Sequence, residues 1–143
     1  MIAIFWAGLL CGVMDITAAL ITWAARGISA IRGLQGIASG LMGAKAFAGG
    51  WETAVLGAAC HYFIAFCAAA VFYLASRKIT FMTSMPLVSG PLYGVAVYLV
   101  MYWIVIPWRL PGRAFSLTAT VIAILTHMVC VGTPISLVVS RYS

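Results

Sequence analysis

Acidic residues are almost missing from this chain: Asp15 and Glu52 are the only two among 143 residues, against eight Lys and Arg. Charge of either sign is scarce, at 7% of residues, whereas a soluble domain carries roughly 25% because its surface must be wetted. With 65% hydrophobic residues and a mean hydropathy of +1.15, such a chain cannot cover itself in water, and lipid is the solvent that fits it. Cysteine motifs are lacking as well. Cys11, Cys60, Cys67 and Cys130 all fall inside apolar runs and no loop carries CxxC, which excludes a secreted disulfide framework and a zinc ribbon.

Catalytic signatures are equally sparse. The chain has no Ser/His/Asp set in a recognisable motif, no HExxH and no dinucleotide glycine fingerprint, and it reads as a non-enzyme. The glycine-rich "GLMGAKAFAGG" lacks both the Lys–Ser/Thr ending and the preceding strand of a phosphate-binding loop. Nor is there a contiguous basic face. Arg26, Arg32, Lys45, Arg77, Lys78, Arg109, Arg113 and Arg141 stand at the ends of apolar runs or between them, where they meet lipid phosphates, so nucleic acid is not a partner.

What is present is length and apolarity. Four runs reach the ~20 residues that a helix needs to cross a bilayer: about 2–25, 54–75, 85–106 and 115–139. They predict an all-α, single-domain membrane bundle over 1–143. The first run lacks a basic leader, is too long for a signal peptide and carries an internal acid, so it is expected to stay as a membrane helix. Between the first two runs, Ile28, Ile31, Leu34, Ile37 and Leu41 recur at helical spacing with Ser29, Arg32, Gln35 and Ser39 among them. This predicts a short interfacial or re-entrant helix over 28–45, with the interfacial form favoured.

Arg26, Arg32, Lys45, Trp51 and Trp108 are expected as interfacial anchors. Small residues four apart, including Gly8/Gly12, Gly36/Gly40 and Gly90/Gly94, let helix backbones approach closely in lipid. Pro91 and Pro134 should kink or shorten the third and fourth helices, and the Thr133 hydroxyl is positioned to satisfy a carbonyl freed near Pro134. The loops after the first and third runs carry five basic residues, which weakly favours the cytoplasmic side for them.

Ionisable groups inside a span are costly, by about 2.5–3.5 kcal/mol on insertion scales, and so mark function by default. From a rise of ~1.5 Å per residue, Asp15, His61 and His127 fall ~14–18 Å from the face that bears the 28–45 segment, in one layer near the bilayer middle. Cys11, Cys67 and Cys130 form a second layer about one turn further on, and Tyr98 on the third run supplies a hydroxyl. Glu52, at the edge of its run, is expected to be wet.

Such a layer suits proton or cation coupling, because a carboxyl there must be protonated, paired or hydrated. Haem or a soft metal is a weaker alternative, since no pair within one helix has the usual ligand spacing, and no cofactor is predicted. The bland alternative is that Asp15 and the histidines glue helices together at about 0.6 kcal/mol per pair.

A lone first-helix carboxylate in a short four-helix chain resembles the small multidrug resistance transporters, although this chain is longer and adds two histidines and the Gly-rich segment. More of the chain, through "GLLCGVMDI", "LQGIASGLMGAKAFAGG", "AVLGAACHYFIA", "GPLYGVAVYLVM" and "HMVCVGTPI", resembles a group of small, uncharacterised bacterial inner-membrane proteins with four helices. That resemblance implies a multi-pass protein of the bacterial inner membrane and brings no activity with it. Two functions follow from the sequence. The favoured one is a non-catalytic accessory or scaffold subunit of a larger membrane complex, packed on other subunits or on itself. The other is a small proton- or cation-coupled transporter or channel.

Overall fold

The computed structural model describes residues 1–105 and 116–142, and these are helical from end to end with short turns between. The elements are α1 (Ile2–Ala25), α2 (Ala30–Met42), a 3-10 turn (Gly43–Ala48), α3 (Gly50–Ser76), the single turn α4 (Phe81–Ser84), α5 (Pro86–Val100), α6 (Leu117–Thr126) and α7 (Thr133–Arg141). Two π-helical segments extend them: Met101–Val105 continues α5, and His127–Gly132 joins α6 to α7. Among the described residues four helices are therefore long and apolar enough to span a membrane: Ile2–Ala25, Gly50–Ser76, Pro86–Ile104 and Leu117–Arg141. The chain is a multi-pass integral membrane protein.

Only 22–28% of each span is buried within the bundle, and residues such as Phe63, Leu74, Leu92 and Leu125 lie more than half exposed. In water that apolar surface would drive aggregation; in acyl chains it is solvated. The second span begins at Gly50, four residues before the expected start, so Trp51 and Glu52 form its first turn, both exposed. Trp108, Arg109 and Arg113 lie outside the described residues.

The turn between α1 and α2 is dictated by one glycine. Gly27 adopts φ +70°, which an L side chain rarely tolerates, and this lets Ile28 N–H donate to Trp23 O at 2.9 Å and Gly27 N–H to Ala24 O at 3.0 Å. The Trp23 and Ala24 carbonyls at the end of α1 are thereby satisfied. Ser29 then caps α2 by accepting from Arg32 N at 3.2 Å.

Helix α2 folds back onto the start of α3. Gln35 and Ser39 face inward, while Leu41 and Met42 are exposed. Gln35 Nε2 donates to Gly50 O at 3.0 Å, and Thr53 Oγ1 donates to Ala46 O at 2.6 Å. A helix in lipid gains more by giving its amide a partner inside the protein than by hiding leucines from a solvent as apolar as they are. Arg32 stays exposed, its guanidinium 4.2 Å from the Phe47 ring centroid. Arg26 and Lys45 are exposed as well.

The two prolines act differently. α5 runs through Pro91 and ends beyond it in the π turn. In the fourth span the α-helix gives way to the π segment at His127 and resumes at Thr133, which puts Pro134 in the first turn of α7, where its missing N–H needs no partner. Thr133 Oγ1 donates to Met128 O at 2.7 Å, a carbonyl that also accepts the Thr133 backbone N–H, so it is not one freed by Pro134.

The packed core lies toward the start of α1: Ala7, Cys11, Ala65, Ala69, Phe72, Val131, Ile135 and Val139. Hydroxyls tie helices across it. Tyr93 OH donates to Ala68 O at 2.7 Å, and the fully buried Ser136 donates to Pro86 O at 2.8 Å. Gly132 allows backbone contact between the third and fourth spans, since a Cβ there would collide with Gly90 O. At this end the bundle is closed; toward the end of α1 the described residues leave a cavity between the spans.

Candidate functional site

The cavity, of about 580 Å³, is walled by α1, α3, α5 and α6 and reached by Ile37 of α2. Its floor is Cys11, Ala65 and Val131 of the packed core. Along α1 it runs from Cys11 to Arg26, a rise on the order of 22 Å. Trp23, Tyr102, Ser116 and Thr120 stand toward the outer end, on the side where α2 lies.

Asp15, His61 and His127, from three different spans, all line this cavity. Asp15 Oδ2 is 3.9 Å from His61 Nδ1, with the two side chains 23% and 12% exposed. That separation is an ion pair at the limit of contact, too long for a direct hydrogen bond. The other nitrogen of His61, Nε2, lies 2.9 Å from Gly12 O and joins α3 to α1. His127 Nδ1 lies 2.8 Å from Ala123 O, one turn earlier on its own helix.

A carbonyl oxygen can only accept, so the proton of each neutral ring sits on the bonded nitrogen. His61 therefore carries N–H at Nε2 and a lone pair at Nδ1; His127 carries N–H at Nδ1 and a lone pair at Nε2. The Asp15 carboxylate and the His61 lone pair face each other, and one proton between them makes the pair electrically neutral.

Tyr98 completes the site. It is 97% buried, stacks on Tyr102 with ring centroids 5.3 Å apart and meets His127 edge-on at 5.7 Å. Its hydroxyl, sealed from solvent, finds no hydrogen-bond partner among the described residues. A buried, unsatisfied hydroxyl costs about 1–3 kcal/mol.

The second layer holds only in part. Cys11 is buried and donates to Gly8 O at 3.5 Å, and Cys130 is half-buried. Cys67 is exposed on the opposite face of α3. Equal depth places residues in one plane but not on one face: Cys67 is two residues before Ala69 and two after Ala65, both core residues, so it points away from them. Among the described residues, no three His, Cys, Asp or Glu side chains converge to hold a metal ion. Sequence reasoning missed Thr22, Trp23 and Thr126 on the cavity wall; Thr22 and Trp23 stand about two turns beyond Asp15 on α1, which is the signal that was there to be found, and Thr126 immediately precedes His127.

No protein-family model matches the chain, and neither does any curated protein or solved structure.

Proposed function

We propose that this protein is a small proton-coupled transporter that holds its ligand in the cavity between the spans. The observation that carries this reading is the convergence of Asp15, His61 and His127 on one cavity of about 580 Å³. Ligand pockets occupy about 300–1,000 Å³, and mere helix-gluing pairs need no such space. The cavity is closed at the Cys11 floor and reaches Arg26 at the other end, so ligand meets the Asp15–His61 pair partway across the membrane. Replacing the shared proton with a cation keeps that pair neutral, which links the two movements.

The accessory-subunit reading draws on α2, where a Cβ added at Gly36 meets no atom within 4 Å and another helix backbone has room to approach. Electrophysiology on a solid-supported membrane separates the two. Proteoliposomes given jumps of sodium, potassium or a small organic cation should pass transient currents that disappear in Asp15→Asn, while the variant still extracts and migrates like wild type. No current from any jump, together with a stoichiometric membrane partner after mild extraction, would establish the subunit instead.

A further inference from the structure

Scarcity of acid leaves the end of α3 with two cations and nothing of opposite sign. Asp15 and Glu52 carry the only carboxylate side chains in the sequence. Glu52 lies ~38 Å before Arg77 along α3, and Asp15, beside His61, lies ~24 Å from it by the same rise. Neither can reach Arg77 or Lys78, and both basic residues are exposed.

Below this pair the surface is hollowed. A groove of about 410 Å³ is lined by Met1, Ile2, Ile4, Phe5 and Trp6 of the N-terminal end and by Phe66 of α3. Gly8 makes it, because the Phe66 ring occupies the place where a Cβ would stand. Phe5 lies 6.1 Å from Phe66, and Trp6 meets Phe5 edge-on at 5.3 Å. Tyr62 packs over Gly12 in the same way, so α1 and α3 run antiparallel and Met1 comes about one turn short of the Arg77 level. Arg77 keeps helical dihedrals. It follows Phe66 by about three turns, which puts both on one face of α3. From Arg77 down to Phe66 is ~16 Å, the depth of one leaflet in a hydrocarbon core of ~30 Å.

We propose that this face holds one anionic phospholipid, with an acyl chain in the groove and the phosphate at Arg77 and Lys78. The site shares no residue with the cavity and is independent of the transport reading. A guanidinium fork matches two phosphate oxygens, and the lipid's net charge supplies the partner that no side chain provides. Phosphatidylcholine brings the same phosphate with a trimethylammonium that cancels its charge. An acidic protein segment would match the cations, but its backbone would go unsatisfied in an apolar groove at acyl-chain depth.

Native mass spectrometry of the full-length protein, released from detergent micelles, reads the bound lipid. Palmitoyl-oleoyl-phosphatidylglycerol should stay on as a single adduct, about tenfold or more tightly than its phosphatidylcholine counterpart. Arg77→Gln combined with Lys78→Gln should abolish the preference, while Arg32→Gln, on the opposite face of the membrane, should keep it. Dihexanoyl-phosphatidylglycerol and inorganic phosphate should bind about tenfold or more weakly than the long-chain lipid, since they leave the groove unfilled. Thermal melts confirm that the variants fold. Equal retention of the two long-chain lipids, no adduct of either, or a preference that survives the double substitution overturns the proposal. Short-chain lipid or phosphate binding as tightly as the long-chain lipid also overturns it, leaving a bare anion contact. So does a protein that copurifies in place of lipid and is lost with the double substitution.

Discussion

His61 faces Asp15 across 3.9 Å with the nitrogen that carries no proton in the neutral ring, while its other nitrogen is held 2.9 Å from Gly12 O. The second contact fixes the ring's orientation, and with it the identity of the group opposite the carboxylate. Were the ring's proton on Nδ1 instead, an N–H would point at Asp15 and Nε2 would set a lone pair against the Gly12 carbonyl. As built, two acceptors confront each other, and a proton or a donor-bearing cation reconciles them.

Tyr98→Phe should leave the ligand-free protein as stable as wild type or up to about 1 kcal/mol more stable. It removes a buried hydroxyl that has no partner and leaves the stack on Tyr102 in place. Thermal unfolding in detergent reads the change, and a loss above about 1 kcal/mol would mean that the hydroxyl is bonded after all.

Gly132→Ala should destabilise by about 1–3 kcal/mol, because the added Cβ meets the Gly90 carbonyl and the backbones of the two helices must separate. Gly36→Ala on α2 is the matched control. With nothing within 4 Å of its Cβ, it should be neutral, or gain up to about 1 kcal/mol in helix propensity.

Two cysteines at similar depth should answer oppositely to enlargement. Cys11→Leu forces two more heavy atoms into the closed floor of the cavity and should cost about 1–3 kcal/mol, while Cys67→Leu, facing outward, should change the melting temperature little.

The spans could be read directly because length and apolarity are one-dimensional properties, and a bilayer rewards both. The same holds for depth: counting residues put Asp15, His61 and His127 in one layer, and all three line one cavity. Facing was not legible. Cys67 and Cys11 share a depth, yet one is exposed and the other belongs to the core. Gln35 and Ser39 stood among the apolar residues of α2 with nothing to mark their side, and they are buried.

By itself the sequence determined the solvent, the number of crossings and the height of each polar group, since these depend on composition and on a fixed rise per residue. Only the tertiary structure decided which side of each helix turns inward, where the bundle parts and which nitrogen of His61 meets Asp15. In water an apolar stripe reveals the inner face of a helix. In lipid the outer face is just as apolar, so the choice passes to close backbone approach at glycines such as Gly132 and to the hydrogen bonds that each buried polar group must find.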